Sequence, residues 1–93
     1  MSLVRYRDDG PSRNCLHDAE RARVLLLCFR AGQEVDPCVM ERDVIFVVVS
    51  GRGILSEREE DAALRPNVMV TVPSGTERMI RAEDDLVVLA IQT

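Results

Sequence analysis

Two sulfur side chains, Cys38 and Met40, stand two residues apart in the stretch Gly32–Val44 (GQEVDPCVMERDV). On an extended strand, residues two apart share a face, so a thiolate and a thioether can point to one side. Soft ligands of this kind suit copper(I), and Cys28 is a further sulfur that could join them. The bland role is equally concrete: Cys and Met are small or pliable apolar fillers. Soft-metal sites usually cluster their sulfur more densely than one Cys and one Met, so packing is the expected role.

Arg78 carries a different chemistry. In Glu77–Ala82 (ERMIRA) one face of a strand would show Arg78, Ile80 and Ala82, and the other Glu77, Met79 and Arg81. The first face is the more apolar, which turns Arg78 inward. A guanidinium in an apolar interior calls for a carboxylate or phosphate, which it can hold bidentately. Two other arrangements compete: the side chain reaches to the surface along its aliphatic stem, or it pairs with Glu77 or Asp84.

Other routes to catalysis are thin. The single histidine, His17, lies in a polar N-terminal stretch, and no lysine is present to form a Schiff base. A nucleophilic Cys38 or Cys28 would need a base beside it. Acids at 57, 59, 60, 61, 83, 84 and 85 cluster between apolar runs and read as turns, while Asp36, Glu41 and Asp43 flank the sulfur pair and could line a mouth. The reading leans away from an enzyme.

The elements that must position these residues are strands. Apolar residues make up 46% of the 93, with one Tyr, two Phe and no Trp. This aliphatic, β-branched composition favours sheet. Short apolar runs recur between turn residues: 23–30, 35–40, 43–50, 54–56, 62–65, 68–72, 77–81 and 86–92. Seven or eight strands at this spacing predict an all-β sandwich or barrel in one domain. The run DVIFVVVS lacks polar alternation and predicts a strand buried on both faces. Residues 1–20 read as an irregular arm, with one edge strand at Leu3–Tyr6, and residues 21–93 as the barrel. Leu16–Val24 is the best helix candidate.

Residues 24 to 92 resemble a small single-domain cupin of the cupin 2, RmlC-like jelly-roll type. The first cupin motif runs Gly, five residues, His, one, His, three or four, Glu, six, Gly. Here Gly32, Cys38, Met40, Val44 and Gly51 keep every interval. The second runs Gly, five, Pro, one, Gly, two, His, three, Asn. Here Asn67, Pro73, Gly75, Arg78 and Ala82 keep the intervals and the Pro-x-Gly, but not the leading Gly or the closing Asn. The resemblance implies an all-β jelly-roll barrel. In the family the His, His, Glu and His bind a divalent metal inside it. Cys38, Met40, Val44 and Arg78 stand at those positions, so the usual ligand set does not carry over. Val44 offers no donor, and Arg78 has no lone pair to give and repels a cation. No cofactor is expected.

Charge and cysteine usage bound the rest. Net charge is −4, and the twelve arginines are scattered among acids rather than gathered in a stripe. That argues against a nucleic-acid partner. No apolar run approaches the roughly 20 residues of a membrane helix, and the opening MSLVRYRDDG does not read as a secretory leader. Three cysteines (15, 28, 38) at unpatterned spacings fit free thiols in a cytoplasm. A small barrel with open sheet edges is expected to pair with a second copy as a homodimer.

Three functions fit this sequence. In the first, a metal-free, non-catalytic domain holds a small ligand, an anion being one option, in a barrel lined by Arg78, Cys38, Met40, Met69, Val44 and Phe46. In the second, the chain is a metal-dependent cupin enzyme with atypical ligands, Cys38 and Met40 among them. The third is a structural or sensor module working through its dimer surface.

Overall fold

A computed structural model of the chain describes residues 4–58 and 60–93. Among them every regular element is a β-strand, eight in all. They are β1 (Ser12–Asp18), β2 (Arg23–Phe29), β3 (Val44–Ser50), β4 (Gly53–Glu57), β5 (Glu60–Leu64), β6 (Met69–Val72), β7 (Arg78–Ala82) and β8 (Leu86–Gln92). All ladders are antiparallel, in two sheets ordered β1-β2-β8-β3-β6 and β5-β4-β7. The segment 32–40 lies along the free edge of β7. Bridges join Glu34 to Arg81 and Cys38 to Arg78. The register slips by one residue between the bridges, around Pro37, which has no N–H to give a ladder.

Period-2 alternation places one apolar face of each sheet against the other. Leu25, Leu27 and Phe29 of β2, Val44, Phe46 and Val48 of β3, and Leu86, Val88 and Ala90 of β8 form one wall. Leu55, Leu64, Ile80 and Ala82 form the other. Two facing antiparallel sheets of this connectivity make a jelly roll, as the strand spacing predicts.

Three local expectations are corrected. Leu16–Val24 is not helical: β1 ends at Asp18, Ala19 donates to the Ala22 carbonyl at 2.9 Å, and β2 begins at Arg23. Leu16 lies at a break in register between Cys15 and His17, so its polar surroundings mark a bulged strand end. The edge strand of the arm is Ser12–Asp18, paired with β2. Leu3 lies outside the described residues, and residues 4–6 are not in a strand. Finally, β3 is buried on its inner face only: Ile45 and Val47 are half-buried on the other face, and Val49 is 53% exposed.

The arm does lie on the outer face of the larger sheet. Val4 and Tyr6 pack over Leu26, Cys28 and Val87, with Leu89 beside them. Ser12 Oγ donates to the Arg5 carbonyl, and Gln33 Nε2 donates to the Arg7 carbonyl at 2.6 Å. Arg30 stacks over the Tyr6 ring, 5.3 Å from its centroid, and pairs with Asp8 at 3.0 Å.

Candidate functional site

The site is built where segment 32–40 joins β7. Cys38 and Arg78 face each other as a hydrogen-bonded antiparallel pair: each backbone N–H donates to the other's carbonyl at 3.0 Å. In such a pair the two side chains stand on the same face. Below this point Met40 is tied down by its carbonyl, which accepts from Gly75 N at 2.9 Å, and the Asp43 carboxylate accepts from Ser74 N at 2.8 Å. The Pro73–Gly75 turn therefore clamps the segment that carries Cys38 and Met40.

A cavity of about 70 Å³ opens between the sheets at this end. Cys38, Met40, Val44, Phe46 and Arg78 all line it, with Ile80 and Ala90 on its walls. A water occupies about 30 Å³ of liquid, so the space suits two or so waters or one carboxylate head. Two further polar side chains reach it, Arg13 of β1 and Gln92 of β8. Sequence reasoning missed both. Gln92 could have been found, because it shares the inward parity of Leu86, Val88 and Ala90. Arg13 could not, because SRNCLHD carries almost no apolar alternation to mark a strand or its inward face.

Arg78 is inward, as the face pattern predicts, and only 6% exposed. Its Nη1 is buried without a hydrogen-bond partner. Its guanidinium carbon lies 5.7 Å from the centroid of the Phe46 ring, a cation–π contact. Neither acid considered as a partner neutralises it. Asp84 pairs with Arg52 at 3.0 Å, and no ion pair joins Arg78 to Glu77 or to any other acid among the described residues. The cavity is thus an apolar pocket with an uncompensated cation in its wall.

Met69 does not belong to it. The buried residue of β6 is Val72, so Val70 shares its face, while Met69 and Thr71 point outward, Met69 with 66% of its surface exposed. Met69 faces solvent because the strand's parity is set by Val72. Cys28 is likewise on the wrong side for a soft-metal site, buried on the outer face with Leu26 and Val87. Of the sulfurs in play, Cys38 and Met40 alone reach the cavity.

The residues do not fit the divalent metal that this fold often holds. Among the described residues no three His, Cys, Asp or Glu side chains gather where an ion could bind. His17 is exposed on β1, opposite Val24. The cavity presents one thiol, one thioether and the Gln92 amide, beside two arginines that cannot donate a lone pair. The acids flanking Cys38 and Met40 lie outside the cavity wall: Asp36 lines a groove with Glu34, Arg13 and Pro37, and Glu41 lines another with Asp18, Arg23 and Arg42.

Among known proteins, no family model matches the sequence, and no curated protein matches it. Solved structures do match. An RmlC-like cupin protein from Desulfovibrio desulfuricans superposes with a TM-score of 0.91 at 23% identity, over 100% of this chain and 91% of that one. A cupin superfamily protein from Desulfitobacterium hafniense gives 0.90 at 19% identity, over 97% and 83%. Salicylate 1,2-dioxygenase from Pseudoaminobacter salicylatoxidans gives 0.84 at 20% identity, over 89% of this chain but only 25% of the enzyme. The chain has the cupin fold.

Proposed function

We propose that this domain is a metal-free, non-catalytic cupin that binds a small anion, a carboxylate or a comparable oxyanion, in the jelly roll through Arg78. The observation that carries the reading is the buried Arg78 guanidinium, with Nη1 unpartnered, in the wall of the cavity. Burying a charge without a counter-charge is costly, and a ligand carboxylate supplies both the charge and the hydrogen bonds. Phe46 gives the cation a π face while the site is free, and Arg13 adds positive potential at the edge of the cavity. The three free thiols suit a reducing compartment such as the cytoplasm.

The test is a thermal-shift titration with acetate, oxalate and phosphate at constant ionic strength, against chloride as the reference. A ligand that binds only the folded state stabilises it by mass action, about 2.7 kcal/mol at a hundredfold excess over Kd. The reading expects at least one of these anions to raise Tm in the wild type and to lose the effect in Arg78→Met. Equal responses in the two proteins would remove it.

A second copy of the chain is the proposed partner. The described residues of the arm pack over Leu26, Cys28 and Val87, while Ile45, Val47, Val49, Ile91 and Met69 of the larger sheet are half-buried or exposed. A contiguous apolar patch left exposed on a sheet face marks an interaction surface.

A further inference from the structure

The cavity holds a group that anion binding does not use. Cys38 is half-buried and lines the same cavity as Arg78. It also lines the outer groove of about 370 Å³ formed with Arg13, Val35, Asp36 and Pro37. Cys38 thus borders both the cavity and the outer groove, and its backbone is locked to that of Arg78 by two 3.0 Å hydrogen bonds. A cysteine alone is no site. This one shares a cavity with a buried cation whose Nη1 is unpartnered, and it is the cross-strand partner of that residue, with both side chains on one face.

We propose that Cys38 is a covalent capture site for small carboxylic acids that are electrophilic at a carbon one or two bonds from the carboxylate, with Arg78 as the positioning residue. This deepens the anion-binding reading and rests on it. With an α,β-unsaturated acid, the Cys38 sulfur bonds to the β carbon and the π pair moves to the α carbon. That carbon takes a proton, and the thiol has lost one, so nothing leaves. With a 2-halo acid, the sulfur bonds to the α carbon, halide departs with the bonding pair and the thiol proton passes to solvent. Neither step changes an oxidation state that needs a second reagent. The advantage is one of approach: a carboxylate held by a charge-assisted hydrogen bond presents its reactive carbon at high effective concentration. The neutral amide of the same reagent has no such anchor. Cys15 is exposed, and Cys28 is buried under the arm, so the protein carries its own internal controls.

The experiment alkylates the reduced, untagged protein with iodoacetate and, separately, with iodoacetamide, and follows each cysteine by peptide mass spectrometry. The iodoacetate-to-iodoacetamide rate ratio at Cys38 is expected to exceed that at Cys15 by about tenfold, the worth of one charged hydrogen bond. Arg78→Met should bring the Cys38 ratio down to the Cys15 value. Arg78→Lys, which keeps the charge without the fork, should leave it in between. Acetate should slow carboxymethylation of Cys38 and leave Cys15 untouched. Equal ratios at Cys38 and Cys15, a Cys38 inert to both reagents, or a preference that survives Arg78→Met would each overturn the proposal. If acetate still raised Tm through Arg78 while the ratios were equal, capture would fail and anion binding would stand. If neither effect appeared, both would fall.

Discussion

The guanidinium carbon of Arg78 lies 5.7 Å from the centroid of the Phe46 ring, and among the described residues this ring is the only charge-stabilising contact of a side chain that is 6% exposed. An exposed cation–π contact is worth roughly 0.5–1 kcal/mol and a desolvated one about 2. The effective penalty for burying an ion is several kcal/mol. The balance is negative in the ligand-free domain, so Arg78 is a net cost to its stability. Arg78→Met keeps the length and the contact with Phe46 and removes the charge. Replacing buried ionic groups by apolar residues of similar volume is often neutral or stabilising by about 1–4 kcal/mol. Urea denaturation of the ligand-free protein should therefore show Arg78→Met with a midpoint equal to or above that of the wild type. A drop of more than about 1 kcal/mol would mean that Arg78 is a structural residue with a counter-charge when folded.

Gly32 and Gly51 open and close the first motif, and both have φ near +85°. They should nevertheless differ sharply when changed to Ala. At Gly32 an added Cβ meets nothing within 4 Å, so the cost is the left-handed backbone alone, about 1–2 kcal/mol. At Gly51 the same Cβ would sit 2.0 Å from the Asp85 carbonyl oxygen and 2.8 Å from the Leu86 Cα. Both are backbone atoms of the turn into β8 and cannot swing aside, so overpacking adds roughly 1–3 kcal/mol. A domain of this size has roughly 5–14 kcal/mol to lose. Gly51→Ala should therefore unfold at clearly lower urea than Gly32→Ala, and parity between them would contradict the close approach.

What could be read from the sequence follows from these same residues. Glycine and proline spacing marks turns that steric rules force, so Gly32, Gly51, Pro73 and Gly75 mark where strands end along the sequence. Parity worked for β7, where Ile80 and Ala82 outvote the polar Arg78 and show it facing inward. In β6 the same rule sets Val68, Val70 and Val72 on one face and Met69 and Thr71 on the other, as observed, so placing Met69 in the cavity goes against its own strand pattern. Parity fails for β1, SRNCLHD, whose residues carry almost no apolar signal. That strand is held by the ladder to β2, a long-range contact that no local pattern announces. The cavity itself was illegible, since its size depends on how Phe46, Met40 and Ile80 fill the end of the jelly roll.

Tyr6 offers a pH test of the arm. Its pKa is raised above the ordinary 10.0, first by burial, then by the nearby Asp85 carboxylate and Cys28, with Arg30 opposing. A raised pKa in the folded state means that folding favours the neutral phenol. The contribution is complete below the unfolded value near 10 and is lost as pH rises through the folded pKa. Tyr6 is the sole tyrosine and there is no tryptophan, so phenolate absorbance reports this residue alone. Alkaline titration of the native protein should give a midpoint above that of the same chain in urea. Coincident curves would show that the arm does not rest on Leu26 and Val87 in solution.

The outer face of the larger sheet supplies the last prediction. Val47 sits between β8 and β6 on that face, opposite Leu89 and Met69 in the two ladders. Val49 and Met69 next to it are 53% and 66% exposed. An apolar strip of this kind, left open on a monomer, marks an interaction surface. A self-complementary patch gives a closed two-fold pair, and a stable pair needs about 800 Å² from each partner. Sedimentation equilibrium at micromolar concentration should give twice the 10.4 kDa chain mass. Val47→Glu should return it to the monomer, because a carboxylate at the centre of an apolar contact is left unpaired and desolvated. Val39→Glu is the control: Val39 is also exposed and apolar, but it lies in segment 32–40 beside β7. If Val39→Glu and Val47→Glu dissociate the dimer equally, the interface runs along the edge of the smaller sheet instead. A wild-type mass of 10.4 kDa at every concentration would leave the strip without its partner.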